Sequence, residues 1–276
     1  MTDAVSTEAG LGSAAPAPGE SPWKVHAARA ALLMVFIAIW EGAVAIGWAN
    51  PAFVSSPAAI AVSLWDLLIG GELLLHLGTT LAEILIAFAL SVVLGVASAL
   101  FLDRHDMVNR VLSPFLTAFN SMPRIALGPL FILWFGIGMA SKVVLAFSLG
   151  YFIMLLSTLG GLKNVDRDLL LMSRLFGASE FRLFRDVRAP WALPSILAGL
   201  KLSLIYCSAG AVIGEMIAAK SGLGLLVQTF SGQFDVASVM ALILIVAFVV
   251  MTLTSLLDLI ERRLLAWNKG GTDVPG

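Results

Sequence analysis

Five ionisable side chains sit inside long apolar runs: Glu41, Glu83, Arg124, Lys201 and Glu215. A charge at the centre of a bilayer costs about 2.5–3.5 kcal/mol on insertion scales, so each of these needs a partner or water. Arg124 follows Pro123 directly and has two readings. One is a positive point in a solute pathway that attracts anions. The other is a structural group, paired with Glu215 or Glu83 or snorkelling to an interface, and this second reading weighs more. Glu41, Glu83, Lys201 and Glu215 are weighed the same way, although Glu215 precedes an SGLG turn (Ser221–Gly224), a placement that suits a gate. Asn120, Met122, Trp134 and Phe135 are candidates to line a cavity beside Arg124. Aromatic residues in a span more often pack or form an interface belt.

Several chemistries find no residues to carry them. The chain has no GxxxxGK[ST] phosphate loop, no HExxH helix and no Ser-His-Asp set. His26, His76 and His105 are scattered without ligand spacing, and no metal site is read from them. The single cysteine, Cys207, lies in an apolar run, so it offers no disulfide or zinc framework and reads as a small buried apolar residue. The chain therefore reads as a non-enzyme that binds no cofactor itself.

One polar stretch interrupts the apolar sequence at length: Lys163–Pro194, with six basic residues (Lys163, Arg167, Arg174, Arg182, Arg185, Arg188) and four acidic ones (Asp166, Asp168, Glu180, Asp186). It reads as two short helices. Asp166 and Asp168 favour a helix N-terminus and Arg174 a C-terminus. Gly177 breaks the first helix, and Ser179 caps a second that carries Phe181, Phe184 and Val187 on one face. Pro190 and Pro194 are expected to stop it. A simple reversal needs only a few residues, so this loop looks built to be held by a partner.

The elements that must position these residues are membrane helices. Of 276 residues, 59% are hydrophobic and 13% charged, with mean hydropathy +0.96; a soluble domain carries about 25% charged residues. The apolar runs are continuous rather than alternating, which favours helices over a barrel. The net charge of −1 gives no sign of nucleic-acid binding. Residues 1–22 read as a disordered polar tail and not a secretory signal. Spans are expected at about 30–49, 76–102, 111–138, 140–162, 193–218 and 237–260. The third is expected to be kinked or discontinuous, because Pro114, Asn120, Pro123, Arg124, Gly128 and Pro129 interrupt it. Residues 50–75 and 220–236 read as connections, and no repeat of 20–50 residues is apparent. Placing the N-terminus inside puts thirteen Lys and Arg in inside segments, against Lys142 and Lys220 outside. The positive-inside rule then sets both termini and the 163–194 loop in the cytoplasm.

The loop resembles the characteristic cytoplasmic loop of the permease subunits of bacterial binding-protein-dependent ABC importers. That motif is Glu-Ala-Ala, three residues, Gly, nine residues, then Ile-x-Leu-Pro. Gly177 takes the glycine place and Val187-Arg188-Ala189-Pro190 the ending. Leu171, Met172 and Ser173 stand in place of Glu-Ala-Ala, and Ala189 in place of Leu. Further stretches resemble the nitrate, sulfonate, taurine and bicarbonate subgroup: Ser121–Gly138, Ser141–Lys142, Phe176–Ser179, Gly214–Gly224 and the ERRLLAW ending Glu261–Trp267. Glu83 departs from it, since a basic residue is common there.

The resemblance covers roughly residues 75–268. It implies an all-α integral membrane fold: a MetI-like bundle of six transmembrane helices with a cytoplasmic coupling helix. The implied organisation is a tail at 1–22, a first helix and external loop at 23–75, the permease domain at 76–268 with its coupling loop at 163–194, and a tail at 269–276. It implies residence in a bacterial inner membrane and separate partner chains: a cytoplasmic ATPase dimer that binds ATP and Mg, an external solute-binding protein, and a second permease copy forming a homodimer. Gly177, Ala178, Ser179, Glu180, Phe181, Arg182, Phe184, Arg185 and Pro190 would engage the ATPase, while Asn120, Met122, Arg124 and Glu215 would line the pathway. The implied cargo is a small polar or anionic solute of sulfonate, taurine or nitrate type, although members also carry pyrimidines, aromatic acids and vitamins. An ion-coupled secondary transporter using Glu41, Glu83 and Glu215, or a membrane scaffold without transport, are the competing readings. The first of these would require inverted repeats, which are not seen.

Overall fold

The computed structural model describes residues 22–50 and 53–265. The expected tails at 1–22 and 269–276 fall outside the described residues, apart from Pro22, and so does the end of the ERRLLAW stretch at Trp267. The chain divides into two units, residues 1–58 and 59–276.

In the first unit, α1 (Pro22–Ala45) is apolar around its whole circumference. Leu32, Phe36 and Ile39 are all exposed. A helix with outward apolar residues on every side calls for a hydrocarbon solvent. Glu41 does not remain bare: its Oε2 accepts a hydrogen bond from the Ala58 backbone N–H at 3.0 Å.

The second unit is built on three long helices, α3 (Leu73–Arg104), α6 (Met139–Lys163) and α9 (Ala189–Ile217). Their common core holds Ile84 and Ala87 from α3, Val143 and Ala146 from α6, and Leu204, Cys207 and Ala211 from α9. Lipid tails are as apolar as leucine, so burial alone does not drive this association. Close packing at small residues does, and Ala87, Ala146 and Ala211 are fully buried here. Cys207 is one of these packing residues, a free buried thiol.

Helix α4 (Asp106–Ser121) turns back after α3 and breaks at Met122–Pro123. Proline forces the residue before it out of the helical region, and Met122 is extended at φ −70°, ψ 139°. A 3₁₀ turn (Arg124–Leu127) and α5 (Gly128–Phe135) follow, bent 79° from α4. Among the described residues five helices are each long and apolar enough to cross a membrane, and the bent pair makes a sixth crossing if counted as one span. The expected discontinuous third span is this pair. α11 (Val236–Leu264) closes the bundle.

Two expected connections contain helices. α2 (Pro57–Ile69) lies within 50–75 and α10 (Leu223–Gly232) within 220–236. Both are apolar but too short to span, since a crossing needs about 20 residues. The 163–194 segment comes off one end of the bundle, here the loop end; α10 sits at the opposite, far end.

Candidate functional site

The loop end is organised by its caps. α7 (Arg167–Leu175) starts at Asp166, whose Oδ1 accepts from the Asp168 N–H at 2.8 Å. It ends where Gly177 takes φ +78°. There the Ala178 N–H donates to the Ser173 carbonyl at 3.1 Å and the Gly177 N–H to the Arg174 carbonyl at 3.0 Å. These paired bonds close a helix around a left-handed residue, a position where glycine carries no steric cost. Ser179 then caps α8 (Glu180–Leu183), its Oγ accepting from the Arg182 N–H at 3.4 Å. An exposed ion pair, Arg174–Glu180 at 3.3 Å, bridges the two arms. Such a pair contributes at most about 1 kcal/mol.

The prolines do not stop the second helix as expected. α8 passes through a π-helical turn (Phe184–Arg188) directly into α9, with Pro190 in its first turn and Pro194 inside it. Pro190 is tolerated where helical N–H groups are spared a partner, and the wider turn before it absorbs the change in register. The segment Glu180–Ile217 therefore runs as one continuous helical rod of 38 residues.

The expected single face of Phe181, Phe184 and Val187 is divided. Phe181 is 70% exposed, with Leu175 and Phe176 also exposed, so the loop end leaves an apolar surface uncovered. Phe184 and Val187 are half-buried. The anchor beneath them is Leu183, 1% exposed, which the sequence reading missed; its spacing of four to Val187 was the available signal. Also missed was Arg188, whose Nη2 donates to Asp103 Oδ1 at 2.6 Å and to the Leu162 carbonyl at 3.2 Å. No spacing rule joins residues so far apart in sequence. Glu180, Phe181, Phe184 and Arg188 face Phe101, Arg104 and His105 across a cavity of about 670 Å³. Arg185 pairs with its neighbour Asp186 at 2.7 Å on the exposed side.

A second cavity, of about 500 Å³, lies between the break in the α4–α5 pair and the middle of α6 and α9. Asn120, Met122 and Arg124 line it, together with Leu149, Ile153, Leu202 and Tyr206. Arg124 pairs with neither Glu83 nor Glu215. Its Nη1 donates to the Ser148 carbonyl at 2.6 Å, and its Nη2 to the Asn120 carbonyl at 2.9 Å and to Asn120 Oδ1 at 2.6 Å. The guanidinium also lies over the Phe152 ring, 4.6 Å from its centroid. Carbonyl dipoles and a ring face hold it, so its positive charge is not cancelled by a carboxylate among the described residues.

The remaining candidates are placed elsewhere. Glu215 is fully buried at the far end and does not line this cavity. Glu83 and Lys142 are buried close to it, Lys142 in the first turn of α6. Lys201 pairs with Asp258 at 2.5 Å and with Glu261, tying α9 to α11. Trp134 and Phe135 are exposed on α5. Among the described residues no His, Cys, Asp and Glu group could hold a metal ion.

The profile of the binding-protein-dependent transport system inner membrane component family matches residues 91–266. The chain belongs to this family. It is 34% identical over 237 residues to the riboflavin transport system permease protein RibX of Chloroflexus aurantiacus, covering 86% of this chain and 88% of the relative. It is 35% identical over 239 residues to the formylaminopyrimidine transport permease protein ThiX of Halalkalibacterium halodurans, covering 86% and 94%. The putative aliphatic sulfonates transport permease protein SsuC of Escherichia coli is 31% identical over 246 residues, covering 89% and 94%. The fold matches a chain of the MetNI methionine ABC transporter in inward-facing conformations, with TM-score 0.59 and 20% identity over 67% of this chain and 93% of that one.

As an ABC importer permease of this family, the chain is a multi-pass membrane subunit and not an enzyme. A separate ATPase subunit supplies hydrolysis, and a solute-binding protein belongs to the same system.

Proposed function

We propose that the loop end is cytoplasmic and that Ser179–Arg188 docks into a groove of the ATPase. The observation that carries this is the continuity of the loop with α9. A capped helix with exposed Phe181 at its tip leads without interruption into a rod that crosses the whole bundle. Gly177, Ala178 and Ser179 set the angle of the tip, and Phe181 is the apolar anchor, the kind of residue that dominates interface energy. Glu180, Arg182 and Arg185 form the charged rim, and Pro190 lies where the tip joins the rod. Charge supports the orientation: thirteen Lys and Arg fall in the segments assigned inside, against Lys142 and Lys220 outside.

ATP and Mg bound by an ATPase dimer then drive closure, and the docked tip tilts α9. Two copies of the chain form the pathway, in a bacterial inner membrane with both termini cytoplasmic. The cavity at Asn120, Met122 and Arg124 is on that pathway. Its uncancelled guanidinium suits a small polar or anionic organic solute, and the sulfonate transport relative has a cargo of that kind.

Reconstitution into vesicles tests this reading. Uptake should require the ATPase, ATP and the solute-binding protein together. Uptake by the chain alone down an ion gradient would overturn it and favour a secondary transporter.

A further inference from the structure

At the far end, the N-terminus of α10 is held by side chains of two other helices. The first four N–H groups of a helix have no partner within it. Here the Gly222 N–H donates to His76 Nδ1 at 2.9 Å, the Leu223 N–H to Thr80 Oγ1 at 2.8 Å and the Gly224 N–H to Glu215 Oε2 at 2.7 Å. Thr80 Oγ1 in turn donates to Glu215 Oε1 at 2.7 Å, so both carboxylate oxygens are engaged. Thr79 Oγ1 donates to Ser221 Oγ at 3.2 Å. His76, Thr79 and Thr80 share one face of α3 by their spacing, and Glu215 comes from the end of α9.

The turn is moulded to the carboxylate. Gly222 has φ +127°, and a Cβ there would overlap the Glu215 carboxylate. A Cβ on Gly224 would meet the Val212 carbonyl and come 2.8 Å from Glu215 Cβ. Both glycines of the SGLG turn are needed for the same carboxylate to reach the backbone. Glu215 is 0% exposed, and Glu83 from α3 and Lys142 from α6 face it at 2% and 3% exposure. One Glu83 oxygen, Oε2, is buried without a hydrogen-bond partner among the described residues.

We infer that Glu215 is a positioning residue for the external gate: it latches α10 to α3 and α9, and tilting of α9 makes or breaks that latch. The inference rests on the proposed coupling role of the loop. The rod from Glu180 to Ile217 contains 38 residues, about 57 Å at 1.5 Å per residue, and carries the ATPase-docking tip at one end and Glu215 at the other. A tilt at the tip therefore displaces the carboxylate against α3. The latch consists of a few short, directional hydrogen bonds, which small displacements break. The apolar contacts of Leu223 and Val227 with Leu73 and Leu242 deform more gradually.

Glu215→Gln is the informative variant. Gly224 and Thr80 donate to different carboxylate oxygens, and the amide keeps an acceptor at only one of those two positions, so one of the two bonds loses its acceptor. It also leaves Glu83 facing Lys142 one to one, which keeps the buried cluster balanced. The probe is Val227→Cys, on the buried side of α10, labelled by a membrane-impermeant maleimide from the binding-protein side of the intact transporter in vesicles. In the V227C parent, labelling should be slow and should change at least about fivefold between nucleotide-free and ATP-bound states. With E215Q added, labelling should be fast in both states and the nucleotide dependence lost, with Tm held within a few degrees. Glu215→Asp should lie closer to the parent than E215Q does. If E215Q does not accumulate, Thr80→Val, which removes the hydroxyl joining Glu215 to Leu223, takes its place with the same expectation. Unchanged nucleotide dependence in either variant overturns the latch. Loss of nucleotide dependence in the parent, with the ATPase absent from the purified complex, instead overturns the coupling role.

Discussion

Arg188 reaches across the loop end to Asp103, 2.6 Å between Nη2 and Oδ1, and so fastens the π-helical turn before α9 to the end of α3. Asp103 is largely buried and Arg188 about three-quarters buried, unlike the other two ion pairs of the loop. The coupling tip therefore pushes on two core helices instead of one. Removing either partner leaves the other polar group short of a hydrogen bond, at about 1–3 kcal/mol.

Asp103→Asn and Arg188→Gln should each lower solute uptake per ATP hydrolysed several-fold while the ATPase still co-purifies. The paired exchange Asp103→Arg with Arg188→Asp should recover part of the ratio. Parallel uptake and phosphate-release assays on the reconstituted transporter measure it. Equal loss in the double exchange and the single variants would show that local geometry, and not the ion pair, matters.

Gly177 gives a second test, independent of charge. Its φ of +78° costs a residue with a Cβ about 1–2 kcal/mol. Gly177→Val should reduce co-purification of the ATPase and lower Tm by a few degrees. Gly177→Asn should lose much less on both counts, because asparagine tolerates left-handed backbone. Quantified pull-down with a thermal melt compares the two variants.

The parts of this architecture that depend on local rules were legible in the sequence. Asp166, Gly177 and Ser179 act as caps because the orphan groups at helix ends select such residues, and Pro123 breaks the third span for a steric reason. The parts that depend on tertiary placement were not. Pro190 and Pro194 read as stops, yet the π-helical turn lets the helix continue through them. A pairing of Arg124 with Glu83 or Glu215 was one of the readings open in the sequence, beside snorkelling and a pathway charge, and the bend at Pro123 aims it instead at Ser148 and Asn120. Asp103 and Arg188 meet only because α3 and α9 share a core, which no spacing in either segment records.

Phe181 and Leu183 should separate docking from folding, since they sit two residues apart at 70% and 1% exposure. Phe181→Ala removes little buried surface, so Tm should stay within about 1–2 °C while ATPase co-purification and coupled uptake fall by an order of magnitude or more. Leu183→Ala should cost about 2–5 kcal/mol and lower expression or Tm first. Size-exclusion profiles and melts of both variants, run beside the pull-down, decide this. A Phe181→Ala protein that keeps full coupling would remove that side chain from the docking surface.

Arg124 is the residue whose charge and hydrogen bonds can be tested apart. Arg124→Lys keeps a positive charge but cannot span Ser148, Asn120 and the Phe152 ring at once, because a single ammonium lacks the planar fork. Arg124→Gln removes the charge as well. If the guanidinium attracts an anionic solute, uptake should fall in both variants and more steeply in Arg124→Gln, while ATPase activity without solute stays near the parent. If it only braces the bend at Pro123, the two variants should lose uptake equally and lower Tm together. Initial uptake rates at several solute concentrations separate the cases: the pathway role raises the half-saturating concentration in Arg124→Gln, and the bracing role lowers the maximal rate alone.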